Sequence, residues 1–222
     1  MKAALYYGIA FGLILLLALF GSGLGRWILA IAMLTPLTAV LLMLLVVTRD
    51  GYTRTGWQTL GLHRLGWRTW GMAILAPLLV MLCTYSIAWA TGIGRLDWVA
   101  LKSVIALDGP VNLLSTIGRV LQGLLLSTPL ALAEEIGWRG YLLPHLLPLG
   151  RTRALLGSGL LHGIWHLPIL LLTPFYHEGG DRLVVAMLFV LSVTVGSVFF
   201  GYLRLTSASV CPAALGHGAF NL

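Results

Sequence analysis

An all-α, polytopic membrane bundle of about seven transmembrane helices, with its N-terminus cytoplasmic, is the fold class this sequence predicts. Three observations carry it. Charged residues make up 9% of the 222 residues, against about 25% in an ordinary soluble domain. Hydrophobic residues make up 59%, and mean hydropathy is +0.94. The apolar residues fall into runs close to the ~20 residues that cross a bilayer as a helix. Runs such as "LILLLALF" and "AVLLMLLVV" do not alternate, which excludes the short alternating segments of a membrane β-barrel.

The first span, roughly 3–20, follows Lys2 and resembles a signal peptide in its lysine and apolar core. Its apolar run is long for that role, so an uncleaved first helix is expected. The second span covers roughly 27–47. A segment at 48–70 mixes Arg49, Arg54, Arg64 and Arg68 with Trp57, Trp67 and Trp70, which suits the headgroup interface. Spans at roughly 70–91, 112–135, 154–173, 183–203 and 206–222 complete the set. The N-terminal helices (1–111) and the C-terminal helical core (112–222) are expected to form one integrated domain.

Cations set the orientation. With the N-terminus inside, Lys2, Arg49, Arg54, Arg64, Arg68, Arg151, Arg153 and Arg204 lie inside, against Arg26, Arg95, Lys102 and Arg182 outside. The formal charge of +7 is accounted for by these short loops and lipid headgroups, so nucleic acid is not an expected partner. Cys83 and Cys211 lie in apolar segments without a CxxC spacing and are expected as buried free thiols.

Ionisable groups inside a span are costly unless paired or hydrated, so each needs a reason. In "AEEIGWRGYLLP", Glu135 and Arg139 are four apart, share a helix face and are expected to pair. Glu134 is turned about 100° away. It is expected as a free carboxylate facing a cavity, suited to act as a general base near neutral pH. The bland alternative is a helix-end cluster reaching for the interface. In "LLHGIWHLP", His162 and His166 are again i,i+4, and Pro168 should kink the helix beside His166. This spacing can hold a metal but lacks the Glu of HExxH, and His162 alone reads more readily as a structural hydrogen-bonding group. In "HGAFN", His217 and Asn221 could hold an oxyanion or simply clasp a neighbouring helix. Arg119 and Gln122 form a fourth, peripheral cluster.

The clusters agree in depth. His166 lies 13 residues beyond Arg153, and His217 lies 13 beyond Arg204. Both helices therefore rise about 20 Å from the same side at 1.5 Å per residue. Glu134 descends on an oppositely running span and, with turns at Pro144 and Pro148, can meet them there. Convergence from three helices favours a site.

These motifs, Glu134-Glu135-x-x-x-Arg139, His162-x-x-x-His166 and His217-x-x-x-Asn221, occur in the order found in the CPBP intramembrane proteases. That family comprises the CAAX-processing endopeptidases and their bacterial relatives. The sequence resembles it from about residue 118 to 222. The resemblance implies that Glu134 activates water with help from His166, that Glu135 braces Arg139, and that His217 and Asn221 stabilise the oxyanion. It also implies a membrane-embedded or lipidated peptide or protein substrate, with or without a prenyl group, and a prokaryotic inner-membrane location.

His162 departs from the family, which often has Phe there; it could tune His166 or join it on a metal. A metal-free mechanism is favoured, and zinc on Glu134, His162, His166 and His217 is the alternative. Two other function classes remain. One is a non-proteolytic protein that binds haem or metal or relays ions through the His/Glu cluster. The other is a non-catalytic scaffold, disfavoured because every catalytic position is intact.

Overall fold

The computed structural model describes residues 1–25, 27–99, 113–174 and 181–222, which contain helices and no strand. Arg26 and Lys102, two cations assigned to the outer side, lie outside the described residues, as does the junction at 111/112. Helix α1 (Lys2–Phe20) packs on α2 (Trp27–Leu42), which continues through a π-helical turn at Met43–Val47. Ala10 and Ala18 of α1 and Ala32 and Ala39 of α2 lie in one shared core. Small side chains let membrane helices approach closely, which replaces the hydrophobic drive that lipid does not supply.

The basic, Trp-rich segment contains the short α3 (Arg54–Gln58), whose Thr53 hydroxyl accepts from the Gly56 N–H at 3.2 Å. It is fastened to the C-terminal helices. Arg204 donates to the Thr59 carbonyl at 2.9 Å, and the Val210 N–H donates to the Gly61 carbonyl at 3.2 Å. Helix α4 (Trp70–Ala90) shows Leu75, Leu79 and Leu82 on its outside. Cys83 is exposed there and Cys211 is half-buried, so the expectation of buried thiols is corrected. An apolar position in a membrane helix need not face protein, because lipid solvates it equally well.

Five stretches among the described residues are long and apolar enough to cross a membrane: Lys2–Leu24, Trp27–Val47, Trp67–Ala90, Arg151–Leu172 and Arg182–Ser207. The two other expected spans differ in kind. Helix α5 (Leu113–Glu135) is long, but Arg119, Gln122 and the terminal glutamates dilute its apolar character. Helix α10 (Cys211–Phe220) has ten residues, about 15 Å at 1.5 Å per residue, or half a bilayer.

After Glu135 the chain widens into a π-helical stretch, Ile136–Leu142, followed by α6 (Leu143–Leu146). Pro144 gives no N–H to the Gly140 carbonyl and would press on it in an α-helix, so a wider turn is a natural relief. Helices α7 (Arg151–Trp165) and α8 (Leu167–Leu172) meet at His166, where Pro168 was expected to break the path. Helix α9 (Arg182–Ser207) starts on Asp181, whose carboxylate accepts from the Leu183 and Val184 N–H groups. Gly159 and Gly163 seat α7 against α9. A Cβ at 159 would lie 2.8 Å from the Thr194 carbonyl, and one at 163 would lie 3.0 Å from that of Val190.

Candidate active site

The site is assembled where the C-terminal end of α5 and its π-helical extension meet α7 and α10. Glu134, Glu135, Arg139, His162 and His166 are all at most 9% exposed. Apolar side chains alone could occupy this interior, so burial of so many polar groups reflects their mutual pairing.

Glu135 and Arg139 pair as the i,i+4 spacing predicts, with Arg139 Nη1 donating to Glu135 Oε1 at 2.6 Å. The same oxygen accepts from His217 Nδ1 at 2.9 Å. Glu135 thus ties α10 to the end of α5, a link across 82 positions that no local spacing foretells. Arg139 also lies over the Phe200 ring, 5.4 Å from its centroid, and Phe200 stacks on His217.

Glu134 is not the unpartnered carboxylate that the helix geometry suggested. Its Oε2 lies 3.1 Å from His162 Nε2. Arg139 Nη1 stands 3.4 Å from the other nitrogen of that ring, Nδ1. A guanidinium only donates, so Nδ1 is the acceptor and Nε2–H donates to Glu134. His162 is therefore a bridge between the two carboxylates' networks rather than an isolated structural histidine. Trp138 stacks on it with centroids 4.7 Å apart and planes 26° apart. Sequence reading passed over Trp138; the available signal was its position one turn after Glu134, on the same face.

His166 donates from Nδ1 to the His162 carbonyl at 3.0 Å, which places its lone pair on Nε2. Trp165 and Phe189 flank its ring. Asn221 lies apart. Helix α10 ends at Phe220, and Asn221 leaves the helical path as an exposed cap, joined to the His217 carbonyl through its backbone N–H at 3.1 Å. Arg119 and Gln122 remain several turns up α5, with Gln122 exposed.

Several buried polar atoms around the glutamates have no hydrogen-bond partner among the described residues: Glu135 Oε2, Arg139 Nε and Nη2, and Trp138 Nε1. Such atoms in one place call for water or a polar ligand. Glu134, His162 and His166 also offer ligand atoms within 4.8 Å of one another, spacing compatible with one metal ion. The protonation pattern fits less well. To ligate through Nε2, His162 would carry its proton on Nδ1, facing the Arg139 donor.

Residues 116–222 match the family model described as type II CAAX prenyl endopeptidase Rce1-like. None of the curated proteins compared with the chain matches it.

Proposed function

Because residues 116–222 match the Rce1-like family model of type II CAAX prenyl endopeptidases, we propose that this membrane peptidase uses Glu134 to activate the water that cleaves its substrate. The substrate would be a membrane-associated peptide or protein, including a prenylated CAAX-like C-terminus. The carrying observation is a buried carboxylate held through one oxygen by His162, beside His166, among polar atoms that lack partners among the described residues.

In this reading Glu134 takes a proton from water while His166 Nε2 accepts the second water hydrogen, which orients the oxygen lone pair towards the scissile carbonyl. The carbon–oxygen bond forms, and the carbonyl becomes an oxyanion. Glu134 then returns its proton to the departing amine as the carbon–nitrogen bond breaks. His217 is the oxyanion donor on α10. Its Nδ1–H is committed to Glu135, so donation from Nε2 requires a doubly protonated ring with Glu135 as counter-ion. Asn221 would have to turn inward from its exposed cap to assist.

The Arg139 donor at His162 Nδ1 supports the metal-free form of the mechanism over zinc on Glu134, His162 and His166. The resemblance to bacterial relatives supports a prokaryotic inner-membrane location. The decisive experiment compares purified wild type with Glu134→Ala and His166→Ala on a farnesylated reporter peptide. It is paired with proteomics of membranes carrying each form. Loss of cleavage by folded variants is expected. Cleavage retained by Glu134→Ala overturns the reading.

A further inference from the structure

The first helix contributes a group that the C-terminal motifs do not include. Tyr6 of α1 is wholly buried, and its hydroxyl has no hydrogen-bond partner among the described residues. The ring lies edge-on to Trp138, centroids 5.9 Å apart, and 5.1 Å from Tyr141. The hydroxyl sits over the backbone of Gly137, one turn past Glu134, where any Cβ would overlap it and Pro36. A glycine at 137 is what admits the phenol. The Trp138 ring against which Tyr6 packs also stacks on His162, the ring that donates to Glu134.

A stranded hydroxyl in an apolar interior is unfavourable, and phenylalanine would pack there without that cost. The neighbouring Tyr7 hydroxyl also has no partner among the described residues, but Tyr7 is only half-buried and its ring lies farther from Trp138, at 6.5 Å. Tyr6 differs in what it faces. On its other side Tyr141, buried with its hydroxyl also unpartnered, lines a cavity of about 250 Å³ together with Lys2, Asp50 and His145. That volume holds several waters at the ~10–15 Å³ each requires. Hydrolysis consumes a water beside a carboxylate that is only 2% exposed, so water needs both a route and a resting place.

We propose that the Tyr6 hydroxyl holds the water next to Glu134, making α1 part of the active site. This rests on Glu134 as the water-activating group. The full-length protein is compared with Tyr6→Phe, Tyr7→Phe and Glu134→Gln in detergent. Glu134→Gln identifies the Glu134 carboxyl stretch by infrared difference spectroscopy.

In Tyr6→Phe that band is expected to shift. Turnover on the farnesylated reporter should fall at least tenfold with KM within about twofold, and the melting temperature should equal or exceed that of wild type. Tyr7→Phe should leave band and turnover unchanged. An unmoved band with unchanged turnover in Tyr6→Phe overturns the proposal, since a purely structural phenol would give that result. If wild type does not cleave the reporter, the substrate reading fails and the band alone decides for Tyr6. If Tyr6→Phe does not fold, fluorotyrosine at position 6 keeps shape and hydroxyl and must still move the band.

Discussion

His162 donates from Nε2 to Glu134 Oε2 across 3.1 Å. With Arg139 at the other ring nitrogen, this single imidazole connects the charged brace at the end of α5 to the carboxylate proposed as base. It fixes the direction in which Glu134 presents its remaining lone pairs.

Replacing His162 tests that connection. His162→Phe keeps a ring to stack on Trp138 but removes the donor to Glu134. A hydrogen bond to a charged group contributes about 1.5–3 kcal/mol, so turnover should fall about 10- to 100-fold. His162→Gln can place an amide N–H near the Nε2 position and should retain more activity than His162→Phe. Steady-state cleavage of a reporter peptide by the two folded variants measures the difference; equal rates would remove His162 from the mechanism.

Arg139→Ala should be a stability variant before it is an activity variant. It leaves Glu135, fully buried, with His217 as its remaining hydrogen-bond partner. Breaking a buried pair from one side costs about 3–5 kcal/mol. Thermal unfolding in detergent should show a large drop, and Arg139→Lys should recover only part of it because an ammonium lacks the fork.

The sequence made the class of fold, the Glu135–Arg139 pair and the break at His166 legible, because each follows from local rules: apolar run length, i,i+4 spacing and a proline. Position in space was less legible. Glu135 meets His217, and Tyr6 meets the Glu134 neighbourhood, through packing of helices far apart in the chain. The i,i+4 relation of Asn221 to His217 persists in the backbone, its N–H donating to the His217 carbonyl at 3.1 Å, but α10 ends one residue earlier and leaves Asn221 an exposed cap, which spacing alone does not foretell. Spacing within α5 leaves Glu134 without a partner, whereas the partner it has, His162, stands on α7.

The close approach of α7 and α9 sets where His162 and His166 sit, and this can be tested without touching either. Gly159→Leu meets the Thr194 carbonyl and Ser197 Cβ, at 2.8 and 2.7 Å from its own Cβ. Forced overpacking costs about 1–3 kcal/mol, and cleavage should fall with it. Gly157→Leu, whose Cβ has only Leu146 Cδ1 at 3.9 Å, is the control and should change both measurements little.

At the surface, Lys2 Nζ and Asp50 Oδ2 form an ion pair at 2.6 Å. The Lys2 hydrogen bond, followed by that of Thr48, holds the Asp50 carboxyl below its ordinary value of 3.8. A depressed carboxyl stabilises the fold above that ordinary value and loses the contribution as pH falls below it, through the folded-state value. Both side chains are more than a third exposed, so the effect is small and screened by salt. Melting temperature should fall slightly more steeply on acidification for wild type than for Asp50→Asn, and the difference should shrink in high salt.

Metal dependence divides the two chemical readings of the same three residues. Zinc on Glu134, His162 and His166 requires His162 Nε2 to give up its proton and its bond to Glu134, and Nδ1–H then faces the Arg139 N–H. Two donors opposed in a buried site are unfavourable, and zinc-bound imidazoles ordinarily hand their second N–H to an acceptor instead. Purified protein should therefore keep its cleavage rate after treatment with a strong zinc chelator, and elemental analysis should find well under one zinc per chain. Activity lost on chelation and restored by zinc would reverse the assignment. It would require Arg139 to turn away from His162, and Arg139→Met, which removes the opposing donor, should then bind zinc more tightly than wild type.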